Sequence, residues 1–213
     1  MKTAATITSM VLILFSSIAF GQTSKYKEAM LKGLSSLSAA KTSEDCSATA
    51  NTFERIAQVE RKDWLPVYYS AYSNLTAGLL LKDNSLKDQY WDKASQQVER
   101  ADSLSANNSE IYTLKGYIQF MKMTVDPQNR MSFFAASAAS LEKAKALNPE
   151  NPRPYLVQGQ DTFYTPSAFG GGKGPAKPFL EMAVERFGRF KKEGELSPDW
   201  GKKQAEKLLG ECE

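Results

Sequence analysis

The groups in this chain that could do chemistry are few, and histidine is missing entirely. Without an imidazole there is no Ser-His or Cys-His nucleophile pair, no usual general base near neutral pH and almost no route to a catalytic zinc site. Carboxylates alone could still run a glycan hydrolysis. Glu54, Glu60, Glu99, Glu142, Glu181 and Glu185 all sit in strongly charged segments beside Lys or Arg, as solvated helix faces do. The run Gly170-Gly171-Gly172-Lys173-Gly174 leads into Pro175 and could present backbone N–H groups to an anion at a helix start. It lacks the hydroxyl residue that a nucleotide phosphate loop needs after its lysine, and no strand precedes it. An anion or carboxylate contact and a plain inter-helix loop remain as its readings. Cys46 and Cys212 are an even pair, so a disulfide has to be weighed for an exported chain. Tyrosines and phenylalanines such as Tyr68, Tyr72, Tyr117, Phe120 and Tyr164 could stack on a sugar or peptide, although helical spacing makes core packing the first reading for at least half of the set.

Composition narrows the setting. The 213 residues carry 42% apolar and 24% charged side chains, which excludes a disordered low-complexity chain and a multi-span membrane protein. Lys plus Arg is 27 against 24 Asp plus Glu, with no basic block, so neither nucleic acid nor an anionic membrane surface is an expected partner. Residues 1–21 read as a signal peptide: Lys2, a short apolar run through Phe15, then Ala19 and Gly21 as the small residues for cleavage before Gln22. The run is too short to span roughly 30 Å of hydrocarbon. No cysteine follows it, which argues against a lipoprotein, and no second apolar segment exists for membrane insertion. The expected mature chain, 22–213, is one periplasmic or secreted domain. With no histidine and two cysteines, it implies no organic cofactor and no metal beyond weakly held hard cations.

Apolar spacings of three and four recur throughout and predict an all-α protein of nine helices, over 24–41, 44–61, 64–82, 85–105, 109–124, 130–147, 152–164, 175–192 and 199–211. Their starts are marked by Ser43, Asp63, Asn108, Asn151-Pro152 and Ser197-Pro198-Asp199. Tyr26, Tyr69, Tyr112 and Tyr155 recur at an interval of 43, and the same step carries Ala101 to Ala144, Leu104 to Leu147 and Gly116 to Gly159. Each unit is thus a helical hairpin, and four stacked hairpins make a continuous core with a concave side. With neighbouring helices about 8–10 Å apart, Cys46 and Cys212 fall at opposite ends of such a stack, which favours two unbridged thiols unless the superhelix closes tightly.

The segment Leu141-Glu-Lys-Ala144-Lys-Ala146-Leu147-Asn148-Pro149 resembles the end of a tetratricopeptide repeat (TPR). Tyr112-x-x-x-Gly116 and Tyr155-x-x-x-Gly159 resemble the large-then-small pair on its first helix, and Ala176, Leu180 and Ala183 the small-large-small series on its second. Phe53-Glu-Arg-Ile56-Ala57, Trp64-Leu65-Pro66, Asn148 to Arg153, and Pro198-Asp-Trp200-Gly201 with Cys212 resemble small secreted TPR proteins of Gram-negative Bacteroidota. The resemblance implies a right-handed solenoid of about four helix pairs plus a C-terminal capping helix. It also implies that Thr113, Tyr117, Phe120, Arg153, Gln160 and Tyr164 face the concave side, with Tyr112 and Tyr155 packed. The leading expectation is a non-catalytic adaptor that holds a peptide or protein partner in that groove. The alternative is a small-ligand module serving an envelope solute transporter, since the glycine loop resembles a turn in exported TPR proteins of that kind. A carboxylate-based cell-wall or glycan hydrolase comes third.

Overall fold

The computed structural model describes residues 24–213, so the expected signal peptide and its cleavage site before Gln22 lie outside the described residues. Within them the chain is all-α. Helix α1 covers residues 24–39. It is followed by α2 (Ser43–Val59), α3 (Trp64–Leu79), α4 (Asn84–Leu104), α5 (Ser109–Val125), α6 (Met131–Leu147), α7 (Arg153–Tyr164), a 3-10 turn over Ser167–Phe169, α8 (Lys173–Arg189) and α9 (Lys202–Gly210).

The helix starts follow the polar residues ahead of them. Asp63 and Asn108 accept the N–H groups of Leu65 and Glu110, which would otherwise have no partner in the first turn. At α2 the cap is Thr42 and not Ser43: Thr42 takes the N–H of Asp45 while Asp45 reaches back to the N–H of Thr42, a reciprocal pair that Ser43, one residue later, cannot form. The last helix also starts later than its sequence suggests. Residues 190–201 are not helical, and α9 begins only after Gly201, whose φ of 107° is open to glycine and strained for other residues.

Consecutive helices pack as antiparallel neighbours, and α3, α5, α7 and α9 also touch one another as an inner row. This is the stacking of a solenoid. Gly116 and Gly159 set how closely the two helices of a unit approach. A Cβ on Gly116 would sit 2.8 Å from Leu141, and one on Gly159 2.8 Å from Leu180. Across units the 43-residue period appears as hydrogen bonds between equivalent places: Gln160 donates to Tyr117, Arg153 to Glu110, and Arg100 to the carbonyl of Ala57. The core runs through α1 to α6 around Phe53, Tyr68, Trp91 and Leu114, and continues through α7 to α9 around Leu156, Leu180 and Leu208. Trp200 packs against both parts.

Candidate functional site

The inner row presents aromatic and polar side chains to the concave side, and the chain itself lies across them. After α8, residues 190–201 turn back along the groove. The Tyr69 hydroxyl donates to the carbonyl of Leu196 at 2.7 Å, Arg153 donates to the carbonyl of Pro198 at 2.5 Å, and the Trp200 indole N–H donates to the Tyr68 hydroxyl at 2.8 Å. Trp200 stacks on Tyr72 with ring centroids 5.0 Å apart and lies 6.4 Å from Tyr117. Gln204, from α9, donates to Gln160.

This placement corrects the expectation of an open groove. Thr113, Tyr117, Phe120, Arg153 and Gln160 are all buried, and Tyr164 alone of the six is exposed. The Thr113 hydroxyl bonds back to the carbonyl of Ser109 within its own helix. Burial, which favours the neutral phenol, pushes Tyr117 up to about 12 against the counteracting bond from Gln160. Arg153 donates to Glu110 at 2.9 Å and faces the rings of Phe190 and Trp200 at 4.9 and 5.6 Å. The large-position tyrosines behave less uniformly. Tyr155 is buried beneath the Arg186 guanidinium, 4.0 Å from its ring, whereas Tyr112 is half-buried, with its phenol donating to Asp102 and accepting from Lys143.

Beside the inserted segment a cleft of about 420 Å³ stays open, between α1, α3 and Trp200. Its walls are Leu34, Leu37, Tyr69, Tyr72 and Trp200, with Thr76 at one side. On the rim Lys192 pairs with Asp199 at 2.9 Å, and nearby Lys27 pairs with Glu195 at 2.6 Å, so the charges there balance. Such a volume and a mainly apolar, ring-lined wall suit an organic ligand. The two phenols of the cleft are poor metal ligands, since the Tyr69 proton is committed to Leu196 and burial raises both well above their ordinary value, and the rim carboxylates Glu195 and Asp199 are paired with Lys27 and Lys192. Among the described residues, no group of three or more Cys, Asp or Glu side chains is placed to hold a metal ion.

The glycine loop does not form an anion cradle at its glycines. The N–H groups of Gly170, Gly171 and Gly172 donate to the carbonyls of Ser167, Pro166 and Thr162, and Pro175 has no N–H to offer. Gly170 and Gly172 have φ of 81° and 108°, so left-handed backbone is what requires glycine there. Lys173 is exposed. Cys46 and Cys212 are both free, and Cys46 is buried, which raises its thiol pKa and makes it a poor nucleophile. Glu54, Glu99, Glu142 and Glu185 pair with Arg100, Lys115, Lys145 and Arg189. The two deeply buried acids are others, Glu110 and Asp161. Glu110 stands 43 residues before Arg153, so the period itself was a usable signal for that pair. Nothing local in the sequence marks Asp161.

No protein-family model and no curated protein sequence matches the chain. Among solved structures, the HusA haemophore from Porphyromonas gingivalis is similar, with 34% sequence identity, a TM-score of 0.77, and coverage of 88% of this chain and 92% of its own.

Proposed function

Because the chain belongs to the family of the HusA haemophore, we propose that it is an exported, non-catalytic carrier of haem or a closely related tetrapyrrole, held in the cleft beside Trp200. The observation that carries this reading is the Tyr72–Trp200 stack opening on a cleft walled by Leu34 and Leu37. Flat rings and branched aliphatics offer the faces of a macrocycle the contact it would lose from water. Lys192, in an exposed pair of little energetic worth, is free to turn to a propionate. Export rests on residues 1–21, and among the described residues no helix is long and apolar enough to cross a membrane.

With no histidine in the chain and tightly protonated phenols in the cleft, recognition falls on the macrocycle and not on its iron. Titration of the purified protein with haem and with iron-free protoporphyrin tests this. The two affinities should agree within about threefold, and Trp200→Ala and the gentler rim change Leu37→Gln should each weaken both by about tenfold. Iron-free porphyrin binding about a hundredfold weaker than haem, or indifference to both substitutions, would remove the reading.

A peptide or protein partner in the concave groove is the second reading. It is supported by the way the groove already holds an extended stretch of chain, Leu196 to Trp200, through side chains that donate to its carbonyls. Such a partner has to displace residues 190–201. Crosslinking to a partner that is lost when those residues are fixed in place would favour it over the carrier.

A further inference from the structure

Apart from the Trp200 cleft, α6 starts with Met131 and Phe134 exposed, and the turn after α7 projects Phe169 into solvent with 78% of its surface free. Between these elements is a cavity of about 110 Å³, walled by Phe120, Phe134, Leu141 and Phe169 and floored by Gly170 and Gly171. Phe120 and Phe134 stand with ring centroids 6.3 Å apart, tilted by 52°. The cavity shares no lining residue with the Trp200 cleft.

One lining side chain is ionisable, and it is an acid. Asp161 is 6% exposed, and its Oδ1 has no hydrogen-bond partner. The Ser137 hydroxyl, also on the cavity wall, stands near the Asp161 carboxyl without making a well-formed hydrogen bond. A carboxyl buried among rings with no cation and only the Ser137 hydroxyl beside it is costly for a fold to keep, and such groups collect at sites that bind something. The glycine turn beside it offers no anion donors, since the N–H groups of Gly170, Gly171 and Gly172 are spent on the backbone carbonyls of Ser167, Pro166 and Thr162. An acid facing aromatic walls is the complement of an alkylated ammonium, whose positive charge is spread over the CH groups around its nitrogen.

We propose that this cavity is a second binding site, which takes the head of an organic ammonium ligand between Phe120, Phe134 and Phe169 with the Asp161 carboxylate as its counter-charge. The size fits: 110 Å³ is the liquid volume of roughly four waters, enough for a substituted ammonium group and far too little for a macrocycle. Burial holds the empty site's carboxyl well above the usual range, with Ser137 working weakly against it, and the cation supplies the positive charge the fold omits. Phe169, anchored only by its short turn, is placed to close over the bound head.

The test is a titration of the purified protein with choline and with its uncharged isostere 3,3-dimethylbutan-1-ol, followed by isothermal calorimetry and by shifts of the α6 and α7 amide resonances. Choline should saturate the site with a Kd of about 1 mM or tighter, and the isostere should bind about tenfold more weakly. Asp161→Asn, which keeps the shape and removes the charge, should weaken choline about tenfold and leave porphyrin binding as it was. Phe169→Ala, at an exposed position that cannot unfold the chain, should weaken choline severalfold. Equal binding of choline and the isostere, choline binding that survives Asp161→Asn, or no saturation by about 10 mM would each overturn the proposal. Porphyrin affinity is measured on the same samples, so failure of either site is read separately.

Discussion

Arg153 reaches back one full repeat to donate to Glu110 at 2.9 Å, with the Arg153 side chain fully buried and the Glu110 side chain 15% exposed. The same guanidinium holds the carbonyl of Pro198, so one residue joins two neighbouring units to the segment lying across them. Two buried opposite charges need each other, because removal of one leaves the other desolvated and unpaired. Arg153→Met should therefore cost about 3–5 kcal/mol in urea unfolding. Its second signature should be new protease cleavage within residues 190–201 under native conditions. Glu110→Gln added to Arg153→Met should recover part of the loss, since the stranded charge is then gone.

The close approach at the two small positions predicts a second set of changes. Gly116→Ala and Gly159→Ala place a methyl 2.8 Å from Leu141 and Leu180, inside the packed contact between the helices of one unit. Each should destabilise by about 1–3 kcal/mol by thermal or urea melting. Gly188→Ala, also within a helix but with nothing inside 4 Å of its Cβ, should go the other way by about 0.4–1 kcal/mol.

Asp161 gives the ligand-free protein a pH dependence of definite sign. Burial raises its carboxyl in the folded state, so below the unfolded pKa near 4 the group is neutral in both states and costs nothing extra. As pH rises past that value the unfolded chain releases the proton and the folded chain keeps it, and stability falls by about 1.4 kcal/mol per pH unit until the folded pKa is reached. Asp161→Asn lacks this loss. Its Tm should exceed that of the wild type at neutral pH, and the gap should close as the pH approaches 4.

Much of the architecture could be read from residue spacing. The tyrosines at 26, 69, 112 and 155 fall on the first helices of four successive hairpins, α1, α3, α5 and α7, and Asp63 and Asn108 mark helix starts because capping is a local hydrogen bond that sequence displays directly. Gly116 and Gly159 follow from the same period, but their partners Leu141 and Leu180 are only 39 positions apart, so the pairing itself comes from the way the second helix of each unit packs. The site was harder to see. Residues 196–200 carry no helical periodicity, and Ser197-Pro198-Asp199 imitates a helix start, so nothing local announces that Trp200 stacks on Tyr72, 128 positions earlier by number. The burial of Tyr117, Arg153 and Gln160 is a consequence of that contact and could not be read without it. Asp161 was invisible for a related reason: its surroundings come from Ser137 on α6, Phe120 on α5 and a turn beyond its own helix.

The returning C-terminal segment changes how the whole molecule should behave under stress. An open array of helical hairpins has nearest-neighbour contacts only, frays from its ends and folds quickly because its contacts are local. Here Trp200 bonds to Tyr68 across 132 positions, Tyr69 to Leu196 across 127, and Glu195 to Lys27 on the first helix. These ties fasten the far end of the chain to its beginning, so neither terminal hairpin can peel away without first lifting the strap. The chain is accordingly expected to unfold as one cooperative body and not repeat by repeat, and to fold more slowly than its helical content alone would suggest. A spring with its ends clipped together also stretches less, so the curvature of the solenoid, and with it the width of the cleft beside Trp200, is set by the length of the strap.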